Sequence, residues 1–204
     1  MGPLKAELIV NRAVAGVSLN THRTGGQHAM TSQQAVSYWL MPCPQARDDF
    51  EALSKLACRG LQGCTLSPHI TLYSDHLDGA AGAVDRLSQS AEGWKPLWLR
   101  PISIEAGLLF TMSLIVRFAA GEKLIPWFME LRRRSPNRLD YQLEPHLSLL
   151  YSSQALSARQ ATAARLTLPG PALFDRLAVV IHPLTISTDA DIAAVTTLDQ
   201  RTLA

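Results

Sequence analysis

Apolar and polar positions fall in short blocks along this chain, separated by proline and glycine. Ala35–Met41 is almost continuously apolar and predicts a buried strand, stopped by Pro42 and Pro44. Over Gln45–Gly60 the spacing changes to three and four residues, with Phe50, Leu53, Leu56 and Ala57 in register, which predicts an amphipathic helix ended by Gly60 and Gly63. Leu66–Tyr73 returns to strand alternation. Asp78–Ala91 reads as a second helix that buries Ala80, Ala81, Val84 and Leu87. Trp94–Glu105 and Leu108–Phe118 predict two strands joined at Gly107 as a hairpin, closing a first half. The second half repeats the plan. Gly121–Arg134 is helical, with Leu124, Trp127, Phe128 and Leu131 as its apolar stripe, and Ser135-Pro136-Asn137 ends it. Leu143–Tyr151 is a strand, Ser157–Leu166 a helix capped by Ser157, and Pro169-Gly170-Pro171 a turn. Arg176–Ile181 is a strand interrupted by His182-Pro183, and a last strand is expected within Ile186–Leu198. The pattern predicts an α/β (α+β) protein of two similar lobes, each with an antiparallel sheet.

Two of these strands carry matching polar residues. Pro68-His69-Ile70-Thr71-Leu72 and Pro145-His146-Leu147-Ser148-Leu149 both read Pro-His-aliphatic-hydroxyl-Leu. Strand side chains alternate between two faces, so His69 and Thr71 share one face, and so do His146 and Ser148. A neutral imidazole takes a proton from water, and a protonated one gives a proton to a leaving oxygen. Two hydroxyls between them suit the non-bridging oxygens of a phosphate. One such strand is weak grounds for function; the repetition is what makes the case. Tyr73 lies next on the alternating face of His69 and Thr71 and is a further candidate for the site.

The paired motifs resemble the signature of the 2H phosphoesterase superfamily. Glu144-Pro145-His146-Leu147-Ser148-Leu149-Leu150-Tyr151 looks most like the plant-type cyclic nucleotide phosphodiesterases, and Val36-Ser37-Tyr38-Trp39-Leu40-Met41-Pro42 looks like that family's first strand. The resemblance spans roughly residues 35 to 200. It implies pseudo-two-fold lobes facing across a central cleft lined by the two His strands. It also implies metal-independent, cofactor-free hydrolysis of a cyclic phosphodiester on ribose, with ADP-ribose 1″,2″-cyclic phosphate or nucleoside 2′,3′-cyclic phosphates as substrates. Trp39 and Tyr151 are then expected beside the phosphate. His146 is taken as the base and His69 as the acid, with the opposite assignment open. Processing of RNA 2′,3′-cyclic ends, 2′–5′ RNA ligation, a non-catalytic nucleotide-binding role and a metal site of which the two histidines are half are the competing readings.

Composition narrows the partners. Hydrophobic content of 47% and charged content of 18% describe a folded chain, and 204 residues suffice for one bilobal domain. No apolar run approaches the ~18 residues that cross a bilayer. A net charge of +2 does not point to an extended nucleic-acid surface, so a small cyclic nucleotide or an RNA end is the expected partner. The basic cluster Arg132-Arg133-Arg134, with Arg138 nearby, reads either as a solvated helix end or as a phosphate clamp for RNA. Cys43, Cys58 and Cys64 show no metal spacing, and their odd count suggests a reducing compartment. No His-Glu-x-x-His or Cys-x-x-Cys pattern occurs. His182 is expected to be a hydrogen-bonded structural residue, and His76 a solvent-exposed one. A cytoplasmic monomer is expected. Residues 1–30 are read as a leader or disordered tail, and 31–204 as the catalytic domain.

Overall fold

The computed structural model describes residues 33–136 and 138–204, so the leader expected at 1–30 lies outside the described residues. The described elements run β1 (Gln34–Pro42), α1 (Pro44–Cys58), β2 (Ile70–His76), α2 (Ala80–Ala91), β3 (Leu97–Leu99), β4 (Pro101–Glu105), a 3-10 turn (Phe110–Met112) and β5 (Leu114–Phe118). They continue with α3 (Gly121–Arg134), β6 (His146–Leu150), α4 (Leu156–Ala163), β7 (Ala172–Pro183), α5 (Asp189–Ala193) and β8 (Thr196–Thr202).

Every described strand pair is antiparallel. The strands follow the order β3-β7-β1-β2-β6-β5-β4, with β8 also paired to β7. The sheet is narrowest between β2 and β6, which share one residue pair, Ile70 and Leu147. That seam divides it into a lobe of β1, β2, β3, β7 and β8 and a lobe of β4, β5 and β6. The expected α+β class with two antiparallel lobes is therefore the observed one.

The lobes are not the two sequence halves. The predicted hairpin forms between β4 and β5, but it extends β6 and so joins the second lobe. β3, separated from β4 at Arg100, leaves that hairpin and pairs with β7. Three further expectations are corrected. β7 runs through His182 to Pro183, and the pairing with the chain before β1 continues past the proline, where Leu184 N–H donates to the Gln33 carbonyl at 2.8 Å. Ile186–Leu198 holds α5 first, started by a Thr188–Asp191 capping box, and β8 follows it. α4 begins at Leu156 without a side-chain cap, so Ser157 is inside the helix.

One face of the sheet packs under helices. Phe50 and Leu53 of α1, Leu87 of α2 and Leu124, Trp127 and Leu131 of α3 join one core with Leu40, Ile70, Leu147 and Leu177 from both lobes. The other face of β1 and β7 carries Trp39, Met41, Ala178 and Val180 as a smaller cluster. That second face is where the two histidines emerge.

Candidate active site

Proline before each histidine opens its strand, and the alternation sends Ile70 and Leu147 into the core while His69 and His146 turn the other way. Continued one residue either side of the Ile70–Leu147 pair, the antiparallel register sets His69 opposite Ser148 and Thr71 opposite His146. The four side chains thus form a pseudo-two-fold cluster across the seam. All four line one cavity of about 170 Å³, together with Trp39 and Tyr151.

The two imidazoles are held alike. His69 Nδ1 lies 2.7 Å from the carbonyl oxygen of Ser67, and His146 Nδ1 lies 2.7 Å from that of Glu144. A carbonyl can only accept, so each Nδ1 carries the hydrogen and each neutral ring keeps Nε2 as its basic nitrogen. Their surroundings differ. Trp39 stacks flat on His69, with ring centroids 3.5 Å apart and planes 9° from parallel. Burial takes the His69 pKa down to about 3, against a smaller upward pull from the Ser67 carbonyl. His146 is less enclosed. Burial lowers it as well, and the Glu144 carbonyl works against that. Beside it, the Arg117 guanidinium pushes it further down while the Glu144 and Glu105 carboxylates push it up. Arg117 is the cross-strand partner of His146 and donates to Glu105 at 2.9 Å.

The hydroxyls also differ. Ser148 Oγ donates to the Thr111 carbonyl at 2.8 Å, while Thr71 offers its own carbonyl to Tyr141 Oη at 3.1 Å. Tyr151 is fixed by its backbone, which exchanges bonds of 2.9 and 3.0 Å with Cys64. Burial pushes its phenol up to about 12.

Tyr73 is not brought to the site. It is fully buried and packs edge-on against Phe128 and Tyr141. The cause is a β-bulge: Trp39 pairs with Thr71 but Tyr38 pairs with Tyr73, leaving Leu72 without a partner. The extra residue resets the alternation, so Leu72 and Tyr73 both enter the core and Ser74 takes the cavity position. The second His strand carries the same irregularity, since Ile115 pairs with Ser148 and Leu114 with Leu150. There Leu149 and Leu150 enter the core and Tyr151 reaches the cavity.

Ser37, Ser74 and His182 line the cavity as well, and sequence reasoning missed all three as site residues. Ser37 was legible, as a hydroxyl two residues before Trp39 on the same face of an apolar strand. His182 is hydrogen-bonded at both nitrogens, as expected of a structural residue, but it also faces the cavity. Ser74 had no local signal, because only pairing reveals the bulge.

Elsewhere, Arg133 and Arg134 both bond to Glu130, and Arg132 lies over the Phe128 ring at 5.9 Å. The groove bordered by Arg132, Arg133 and Arg138 shares no lining residue with the histidine cavity. The three cysteines are free. Among the described residues no group of three or more His, Cys, Asp or Glu could hold a metal ion, and no helix is long and apolar enough to cross a membrane.

No protein-family model matches the chain, and no curated protein matches it. Solved structures do resemble it. TT0787 of Thermus thermophilus superposes with a TM-score of 0.58 at 15% identity, over 83% of this chain and 97% of that one. LigT of E. coli, solved with 3′-AMP, gives 0.53 at 14% identity, over 84% and 98%. A protein described as a phosphoesterase gives 0.52 at 11% identity, over 83% and 98%. At such identities the likeness defines the fold: a bilobal α+β architecture shared with LigT.

Proposed function

We propose that this chain is a 2H phosphoesterase that opens a cyclic phosphodiester on vicinal ribose oxygens to a phosphomonoester, by acid–base catalysis from His69 and His146 and without a metal. One observation carries the reading. Two Pro-His-x-hydroxyl strands meet antiparallel at a single pair, Ile70 and Leu147, and present both imidazoles to one cavity with Nε2 as the reactive nitrogen. The strained five-membered ring needs little beyond positioning and proton management. Thr71 and Ser148 hold the non-bridging oxygens, and Ser148 turns its hydroxyl from the Thr111 carbonyl to do so.

The surroundings favour His69 as base and His146 as acid, the reverse of the assignment taken from sequence. Burial depresses His69 strongly, so the first proton goes to the less enclosed His146, where the Glu144 and Glu105 carboxylates work against the Arg117 guanidinium. A phosphate anion entering the cavity favours the imidazolium further.

A cavity of about 170 Å³ is smaller than the ~300–1,000 Å³ of pockets that engulf drug-sized ligands, so phosphate and sugar enter while the base stays at the mouth. That suits nucleoside 2′,3′-cyclic phosphates and RNA 2′,3′-cyclic ends. LigT, of the same fold, is solved with 3′-AMP, ATP and NADP+. ADP-ribose 1″,2″-cyclic phosphate is the second substrate, supported by the plant-type run Glu144–Tyr151.

The test is hydrolysis of both substrate types in the presence of chelator. Replacing either His69 or His146 with Ala is expected to cost about 10²–10⁴ in rate. Losses below about tenfold in both variants reject the scheme, and loss of wild-type turnover in chelator rejects its metal independence.

A further inference from the structure

We infer that Ser74, Ser37 and His182 form a hydroxyl-accepting subsite in the wall of this cavity, which takes a sugar hydroxyl of the ligand and not a phosphate oxygen. The inference rests on the nucleotide reading above.

The three side chains form a hydrogen-bonded row on the cavity face of β2, β1 and β7. His182 Nδ1 is 2.7 Å from the carbonyl oxygen of Pro183, His182 Nε2 is 2.7 Å from Ser37 Oγ, and Ser37 Oγ is 2.6 Å from Ser74 Oγ. The carbonyl fixes the direction of the whole row. It only accepts, so the ring hydrogen sits on Nδ1 and Nε2 of the neutral ring is an acceptor. Ser37 must then donate its one hydrogen to Nε2. Its oxygen is left to accept, so Ser74 donates to it. Burial holds His182 below its ordinary value, which keeps the ring neutral and the row in this sense.

The consequence falls on Ser74. Its only hydrogen is committed inward, and its free lone pairs face the cavity. This part of the wall therefore offers an acceptor and no donor. A phosphate oxygen, itself an acceptor, finds no partner there, whereas a ribose hydroxyl does. Ser74 occupies the position that the Leu72 bulge turns toward the cavity, on the face of Thr71. A phosphate at Thr71 and Ser148 with its vicinal sugar hydroxyl on Ser74 is the arrangement that follows. Ser37 and His182 are nearly enclosed, at 2% and 9% exposure, so the row is held away from competing water.

Calorimetric binding of product-like nucleotides tests this. One pair is adenosine 3′-monophosphate against its 2′-deoxy form; the other is adenosine 2′-monophosphate against its 3′-deoxy form. Wild type is expected to prefer the hydroxyl-bearing member of at least one pair by roughly five- to tenfold, the worth of one neutral hydrogen bond. Ser74→Ala is expected to erase that preference while leaving the deoxy affinity within about twofold. Ser37→Ala frees the Ser74 hydrogen to point into the cavity and is expected to reduce the preference although Ser74 is present. Equal affinities within both pairs in wild type overturn the subsite and leave the nucleotide reading intact. Equal weakening of both members by Ser74→Ala overturns it too, by showing a structural role only. If wild type binds none of the four, the nucleotide reading fails and the subsite fails with it.

Discussion

At the scale of single residues, the site depends on two backbone carbonyls two positions before the histidines, each of which selects the tautomer with a basic Nε2. Enclosure then separates the pair, and that separation has a cost in stability with a definite sign. His69 titrates near 3 in the folded chain and near ~6.5 when unfolded. As pH falls, the unfolded chain takes up the proton first. The contribution of the neutral ring is therefore fully present above pH ~6.5 and is lost as pH falls toward about 3. Between pH 7 and 4.5, urea denaturation of wild type is expected to lose about 2 kcal/mol more than His69→Gln, which has nothing to titrate at that position. Equal losses in the two proteins refute the enclosure argument.

At the scale of elements, most strands and helices were legible because their period showed. α1 and α3 carry a clear three- and four-residue stripe, and the structure buries Phe50, Leu53 and Ala57 of the first and all four residues of the second, while Leu56 is exposed. In α2 the helix is where the pattern put it but its face is turned: Ala83, Leu87 and Ala91 are buried, and Ala80 and Ala81 are exposed. The motif strands were legible through repetition, which marked His69, Thr71, His146 and Ser148 as one candidate set, while the facing of the two strands was implied by the family resemblance. What was hidden depends on pairing. No local pattern distinguishes a regular strand from one with an unpaired Leu72, so Tyr73 read as a site residue and Ser74 did not. Tyr151 has a comparable dependence. A Cβ on Gly63 would lie 2.1 Å from the Tyr151 carbonyl oxygen, so only glycine lets the Cys64–Tyr151 bridge close. Gly63→Ala is expected to cost about 1–3 kcal/mol in thermal or denaturant melts and to lower turnover by displacing Tyr151. A variant as stable and active as wild type would show that the bridge does not hold that side chain.

At the scale of the whole molecule, the sequence repeat and the spatial repeat are out of phase. Sequence order places β3, β4 and β5 in the first half, yet β4 and β5 complete the second lobe, and β7 and β8 return to complete the first. Local patterning cannot foresee this, since it states what each segment is and not which edge it joins. The interleaving has a direct consequence for cooperativity. Fragments 33–119 and 120–204 each lack strands that the other supplies, so neither is expected to fold alone. Mixed together, they are expected to regain the circular dichroism and melting transition of the intact chain in part. A cooperative melt from either fragment by itself would contradict the strand order.

The twin bulges also bear on how such a site could be transplanted. A designer copying the two motifs onto regular strands would keep His69, Thr71, His146 and Ser148 in place and still lose the far wall. With perfect alternation Tyr73 and Leu150 would fill the cavity, and Ser74 and Tyr151 would be driven into the apolar interior. The smallest portable unit is therefore the pair of strands with one surplus leucine in each, and a graft without those two residues would carry both imidazoles but not the shape of the cavity they face.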